Sequence, residues 1–224
     1  PSSAASDVYK RQGSTFKIMT LAAALQQGIS LDTNYSSAPY QLPGSDVVTN
    51  VGGGCGVCNL REATKQSLNT SFLRLQEDLK NGTQDTADMA HALGVAKSLP
   101  GIEKTLTENG KQPFEGIVLG QYQSRPLDMA TAMSTLANQG VWHNPHFVQR
   151  VENAAGEVLY EHPEDEGERR VSSNVANNVL EAMEPVAAWS NGALAGGRAS
   201  ASKTGTTQMG DTGNNKDAWM VGAT

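Results

Sequence analysis

Gly13-Ser14-Thr15-Phe16-Lys17 opens an apolar run, Ile18 to Leu25, that closes on Gln26-Gln27-Gly28. The run reads as a helix with glycine at its C-terminal cap. A spacing of three is close to one helical turn, so the Ser14 hydroxyl and the Lys17 amine share a face and lie within reach of each other. Ser14 also stands near the positive end of that helix. A serine hydroxyl is a poor nucleophile at neutral pH. A nearby base and a dipole that favours the developing alkoxide are what it requires. Taken alone, the string equally describes a surface serine beside a solvated lysine.

Working outward, two further strings follow in order. Ser67-Leu68-Asn69 is flanked by helical spacing over 61–66 and 70–80, which predicts a short loop between two helices. Local backbone capping is the plain alternative for Ser67 and Asn69, since both residue types favour turns and helix starts. Lys203-Thr204-Gly205-Thr206-Thr207 follows the small residues 199–202 and predicts a strand ending in a turn. Lys203 adds positive charge, and Thr204 and Thr206 offer hydroxyls to a carboxylate or carbonyl. Gly205, with no side chain, lets an extended substrate approach and pair as if it were another strand. A backbone N–H near Thr206 is placed to share an oxyanion hole with that of Ser14. A bare edge strand that uses Lys and Thr to discourage aggregation has the same composition. The order of the three strings carries the reading, not any one of them.

Length and charge bound the rest. The 224 residues suffice for one sizeable core, and we expect one domain. A net charge of −6 without a Lys/Arg cluster argues against nucleic acid or an anionic membrane surface as partner. No stretch approaches the roughly 20 apolar residues of a membrane span, and no basic-then-apolar leader opens the chain. Residues 83–93 read as a capped helix ending at Gly94, and Ser124 and Pro126 start another that ends near Gly140. A hairpin is expected from 146–151 and 157–160 around Asn153-Ala154-Ala155-Gly156. Residues 173–189 form an amphipathic helix with Val175, Val179, Leu180, Met183 and Val186 on one face. Residues 34–59 read as a polar, glycine-rich loop, 161–168 as a solvated acidic loop, and 208–215 as a border of the cleft. Helices and strands are partly segregated, an α+β pattern.

With these residues in hand, the chain resembles the transpeptidase domain of penicillin-binding proteins, a family known for serine-x-x-lysine and lysine-threonine-glycine motifs. The resemblance rests on 13–17, 65–72, Arg125 to Ala130 with Ala137-Asn138-Gln139-Gly140, 203–207, and Asp217 to Gly222, and so spans nearly all of 13–224. It implies an α+β fold with an antiparallel sheet flanked by helices. Its flavour is that of the high-molecular-mass class A enzymes. That implies a parent protein anchored at the extracytoplasmic face of the bacterial membrane, with a glycosyltransferase domain ahead of the transpeptidase.

Carried over, Ser14 is the nucleophile on the D-Ala-D-Ala carbonyl of a peptidoglycan stem peptide and the target of β-lactams. Lys17 is its base, with a pKa lowered by burial and by Lys203. Ser67 relays a proton to the leaving group, Asn69 orients the substrate amide and Lys17, and Thr204, Gly205 and Thr206 hold the substrate. No cofactor or metal is implied. Residues 1–12 depart from the family pattern, with Gln12 where a proline is usual, and read as a foreign lead segment. Since the family has sheet strands before the serine and after the Trp219 strand, a fragment lacking N- and C-terminal strands is expected.

Cys55-Gly56-Val57-Cys58 holds both cysteines. Zinc would need further ligands, for which His143 and His146 are the nearest pattern, and a redox pair expects a strand–helix setting. The extracellular placement implied by the family favours a short-loop disulfide bracing the approach to Ser67, with free thiols next. Rival functions are a D,D-carboxypeptidase, in which water replaces the amine acceptor, a β-lactamase, a penicillin-sensing receptor and an inactive fragment. Against the β-lactamase stand Leu68 and the absence of a Glu-x-x-Leu-Asn string between the second and third motifs. Against the receptor stands Asn69.

Overall fold

Helix α1 (Lys17–Gln26) lies at the centre of the computed structural model, with every residue from Lys17 to Ala24 buried. The structure describes residues 9–44, 46–209, 212 and 214–224. A 3-10 turn, Gly13–Phe16, leads into α1, and Gly28 at φ +89° follows its end. The other helices are α2 (Leu60–Lys65), α3 (Asn69–Glu77), α4 (Thr83–Leu93), α5 (Pro126–Ala137) and α6 (Ser173–Trp189). Helices α3, α4 and α6 pack around α1. A helix apolar on all sides has no solvent face, which is why α1 sits inside a ring of others. Each large side chain it buries, such as Ile18, Met19 and Leu21, stabilises the fold by about 1.5–3 kcal/mol.

Helix α6 is capped by Ser172, whose hydroxyl accepts from the Val175 N–H at 3.2 Å. Its Val175, Val179, Met183 and Val186 are buried as the periodicity predicts, and Leu180 is half-buried at the margin of the core. Gly94, at φ +125°, closes α4 as expected, while the opposite end begins at Gly82 without a side-chain cap.

The strands are β1 (Lys10–Arg11), β2 (Asn34–Ser36), β3 (Tyr40–Gln41), β4 (Val47–Val48), β5 (Val57–Asn59), β6 (Gln123–Ser124), β7 (Val141–Trp142), β8 (Arg150–Glu152), β9 (Val158–Glu161), β10 (Glu168–Arg169), β11 (Ala201–Gln208) and β12 (Asn215–Ala223). They form antiparallel pairs: β1–β6, β2–β5, β3–β4, β7–β10, β8–β9 and β11–β12. The longest pair, β11–β12, aligns Ala201 with Ala223 and Gly205 with Trp219. Helix α6 covers β11, and α5 covers β12. The α+β class and the helix-flanked antiparallel sheet are therefore as expected.

Three expectations need correction. Residues 34–59 are not one loop but two small strand pairs, because Tyr35 is buried and ties β2 to β5. The hairpin begins at Arg150 rather than at 146. The third motif does not end in a turn: β11 runs through it to Gln208, since an eight-residue ladder with β12 outweighs the break that Gly205 suggests. Of the lead segment 1–12, residues 1–8 lie outside the described residues; Lys10–Arg11 pair with β6. Residues 210, 211 and 213 of the expected cleft-border loop also lie outside them.

Candidate active site

The three motifs converge because α1, the α2–α3 connection and β11 meet at one end of the core. Ser14 stands in the 3-10 turn that feeds α1, next to helix amides that favour negative charge. Lys17 and Lys203 are both 0% exposed. Lys17 Nζ lies 2.9 Å from Ser14 Oγ, 2.6 Å from Ser67 O, 2.7 Å from Asn69 Oδ1 and 3.2 Å from Ser67 Oγ. Lys203 Nζ donates to Ser67 Oγ at 2.7 Å and to Thr204 O at 3.0 Å.

Burial, and then the charge of Lys203, hold the Lys17 amine well below its usual range. Burial alone pushes Lys203 down to about 7. The hydrogen-bond inventory explains what this achieves. A neutral amine has two N–H groups and one lone pair, and Ser67 O and Asn69 Oδ1 can only accept. Those two oxygens take both N–H groups, which leaves the lone pair for the Ser14 hydroxyl.

Ser67 owes its place to strain. It adopts φ +57°, a left-handed conformation uncommon for a residue other than glycine, between the N–H bonds that Ser67 and Leu68 give to Thr64 O and Ala63 O. Leu68 is 1% exposed and anchors the loop in the core. The second motif thus forms a loop between helices as expected, with Asn69 as the first residue of α3.

Thr204 and Thr206 alternate with buried neighbours along β11 and line the cleft. Gly205 has a structural reason beside the one expected. A Cβ there would stand 2.2 Å from Gln12 O and 2.9 Å from Thr15 N, so the glycine lets the turn that carries Ser14 dock on the strand. Gly13, at φ +59°, does the same from the other side: a Cβ would meet Thr206 O at 2.4 Å. These two glycines bring the backbone of Thr206 against that of the residue before Ser14.

The cleft over these groups has a volume of about 740 Å³. Sequence reasoning missed much of its rim: Val47 to Thr49 and Val51 on one segment, Lys65 and Gln66, and Trp189 with Ser190 at the end of α6. Trp189 is 56% exposed, an unusual place for an indole, and Lys65 Nζ sits 4.9 Å from its ring centre. Periodicity places Trp189 on a helix but carries no hint of a cleft.

Cys55 and Cys58 are joined as a disulfide, which sets aside the zinc reading. His143 pairs with Asp165 at 3.4 Å and His146 stacks on His162, well apart from the cysteines in the chain. Among the described residues no group of three or more His, Cys, Asp or Glu is placed to hold a metal. Among them, too, no helix is long and apolar enough to cross a membrane.

Comparison with known proteins agrees with this geometry. A family profile described as the penicillin binding protein transpeptidase domain matches residues 2–224. Penicillin-binding protein 1A of Mycolicibacterium smegmatis is 56% identical over 216 residues, which cover 95% of this chain and 28% of that protein. The peptidoglycan D,D-transpeptidase PbpA of the same species is 33% identical, over 93% of this chain and 46% of its own length. This chain therefore spans less than half the length of either relative. The structure of the PonA1 protein from Mycobacterium tuberculosis in complex with penicillin V superposes with a TM-score of 0.92 at 52% identity, covering 98% of this chain and 59% of that one. A match over almost every residue, with the three motifs gathered in one cleft, places the chain in the penicillin-binding protein transpeptidase domain family.

Proposed function

We propose that residues 13–224 carry a D,D-transpeptidase site that works through an acyl-serine and is acylated by β-lactams. The observation that bears most weight is the Lys17 amine, fully buried and 2.9 Å from Ser14 Oγ. In this reading the Ser14 proton passes to the Lys17 lone pair as Ser14 Oγ bonds to the carbonyl carbon of the penultimate D-alanine. The backbone N–H groups near Ser14 and Thr206 receive the oxyanion. As the peptide C–N bond breaks, the proton moves through Ser67 Oγ, which touches both lysines, to the departing D-alanine nitrogen. Asn69 orients Lys17 and the substrate amide. Thr204 and Thr206, whose hydroxyls have no protein partner among the described residues, hold the terminal carboxylate beside Lys203, while the β11 backbone at Gly205 pairs with the substrate.

An amine from a neighbouring stem peptide then attacks the ester carbonyl, a C–N bond replaces the C–O bond, and the proton returns to Ser14. The class A resemblance extends the proposal to a membrane-anchored parent on the extracytoplasmic face with a glycosyltransferase domain. The short coverage of the relatives, 28% for penicillin-binding protein 1A, fits that reading.

Intact-protein mass spectrometry after incubation with benzylpenicillin tests it. The expected result is one stable adduct, absent in Ser14→Ala and formed orders of magnitude more slowly in a folded Lys17→Ala protein. An adduct that survives Ser14→Ala refutes the nucleophile, and a Lys17→Ala protein that acylates normally refutes the base.

A further inference from the structure

Asn69 can face Lys17 with either end of its amide, and only one end suits a base. Its Oδ1 accepts from Lys17 at 2.7 Å while its Nδ2 donates to the Thr49 carbonyl at 3.2 Å. Because that carbonyl can only accept, it selects the orientation. If the amide were turned over, Nδ2–H would point at the Lys17 lone pair and occupy the electrons meant for the Ser14 proton. The position of one exposed backbone carbonyl therefore decides whether Lys17 is available.

What holds that carbonyl is the next residue. Asn50 Oδ1 accepts from the Thr70 N–H at 3.0 Å, and Asn50 Nδ2 donates to Thr70 Oγ1 and to Ser37 O, both at 2.9 Å. Thr70 is fully buried in the first turn of α3, and the residue before that helix, Leu68, supplies no side-chain cap. Asn50 thus caps α3 from a distant segment, satisfying an amide that would otherwise be orphaned. Ser37 is itself fixed, since its N–H and its hydroxyl both donate to Gly56 O, at 2.8 and 3.1 Å, inside the Cys55–Cys58 loop. A continuous set of bonds runs from the disulfide loop through Ser37 and Asn50 to the residues flanking Asn69.

We propose that Asn50 is a positioning residue of the acyl-transfer site: it clamps the 49–50 segment to Thr70, so that the Thr49 carbonyl sets the Asn69 amide with its oxygen toward Lys17. The inference rests on the reading of Ser14 and Lys17 given above. Losing Asn50 removes three hydrogen bonds and frees Thr49, and the expected effect is a fall of about tenfold in acylation rate.

The test is the rate of benzylpenicillin acylation as a function of pH, for the chain and for Asn50→Ala. The groups facing Lys17 are Lys203 from β11, Ser14, Ser67, Asn69 and the Phe72 ring, 5.8 Å from Nζ; none of them is altered. With Oδ1 turned away the ammonium loses an acceptor, so the acid limb of the profile moves to lower pH while the plateau drops about tenfold. A variant that only loses folded protein shows a smaller labelled fraction with the limb unmoved, and that result overturns the proposal, as does a wild-type rate. Thr70→Val keeps the buried shape and the Oδ1 bond but removes one acceptor of Asn50 Nδ2. It shows the same displacement at a smaller size, and a wild-type profile there overturns the proposal even if Asn50→Ala does not fold. Failure of the unaltered chain to label at Ser14 overturns the functional reading, and the inference with it.

Discussion

Lys17 and Lys203, both fully buried, meet at one hydroxyl, that of Ser67. For Lys203 the fall from 10.5 to about 7 corresponds to roughly 5 kcal/mol of preference for the neutral form. Both folded values lie below the unfolded ones, so the two lysines cost stability at neutral pH. That cost is relieved as pH rises from the folded values toward 10.5. In the proposed mechanism the same sign governs activity: the base is the neutral Lys17, so acylation is expected to be lost as pH falls. Lys203→Gln removes the charge that helps to depress Lys17, so Lys17 holds its proton to higher pH. The acid limb of the acylation profile then moves upward and the rate at pH 7 falls. An unmoved limb in a folded Lys203→Gln protein would show that burial alone sets the base. The five groups at this scale were legible in sequence because their chemistry is bound to short strings in a fixed order. Thr49 and Asn50 were not, since they act on residues 20 positions away and an Asn in a polar segment has no distinguishing neighbours.

At the level of elements, the site is an agreement between a turn and a strand, with Gly13 and Gly205 at the contact. Gly205→Ala places a Cβ 2.2 Å from one backbone oxygen and 2.9 Å from the Thr15 nitrogen, so the turn must move away from β11. Overpacking of this kind costs about 1–3 kcal/mol. In a chain of this size that lowers the melting temperature by roughly 2–12 °C. Because the displaced turn carries Ser14, labelling by fluorescent penicillin should drop far more than the folded fraction does. Equal losses of the two would mean that the turn tolerates the shift. The strand, the α2–α3 loop and the long α6 followed from local pattern. The scaffold role of Gly205 did not, because which element occupies the face left open by a missing side chain is a property of packing.

Over the whole molecule, five further helices accompany the buried α1 among the described residues and three of them, α3, α4 and α6, pack against it, while most strands are two or three residues long and pair across distant parts of the chain. The helical core was readable, since an apolar run with no polar face must be enclosed. The pairings of Lys10–Arg11 with Gln123–Ser124 and of Val141–Trp142 with Glu168–Arg169 were not, for two-residue strands carry no alternation to read. The β8–β9 hairpin stands out from the body with Val151, Leu159 and Tyr160 exposed.

The enclosure of α1 bears on how such a site can change over generations. A proposed nucleophile carried by the turn that leads into a helix whose residues from Lys17 to Ala24 are all buried leaves few neutral steps along that helix, since each disturbs the core that positions the turn. If the proposed function holds, variation under β-lactam selection is expected at the rim, at Val47, Val51, Trp189 and Gln208, where side chains face solvent and exchange without repacking. Saturation mutagenesis scored by penicillin labelling should find those four positions permissive and 18–24 nearly invariant. Tolerance along 18–24 would mean that the core beneath the site is far more plastic than its burial implies.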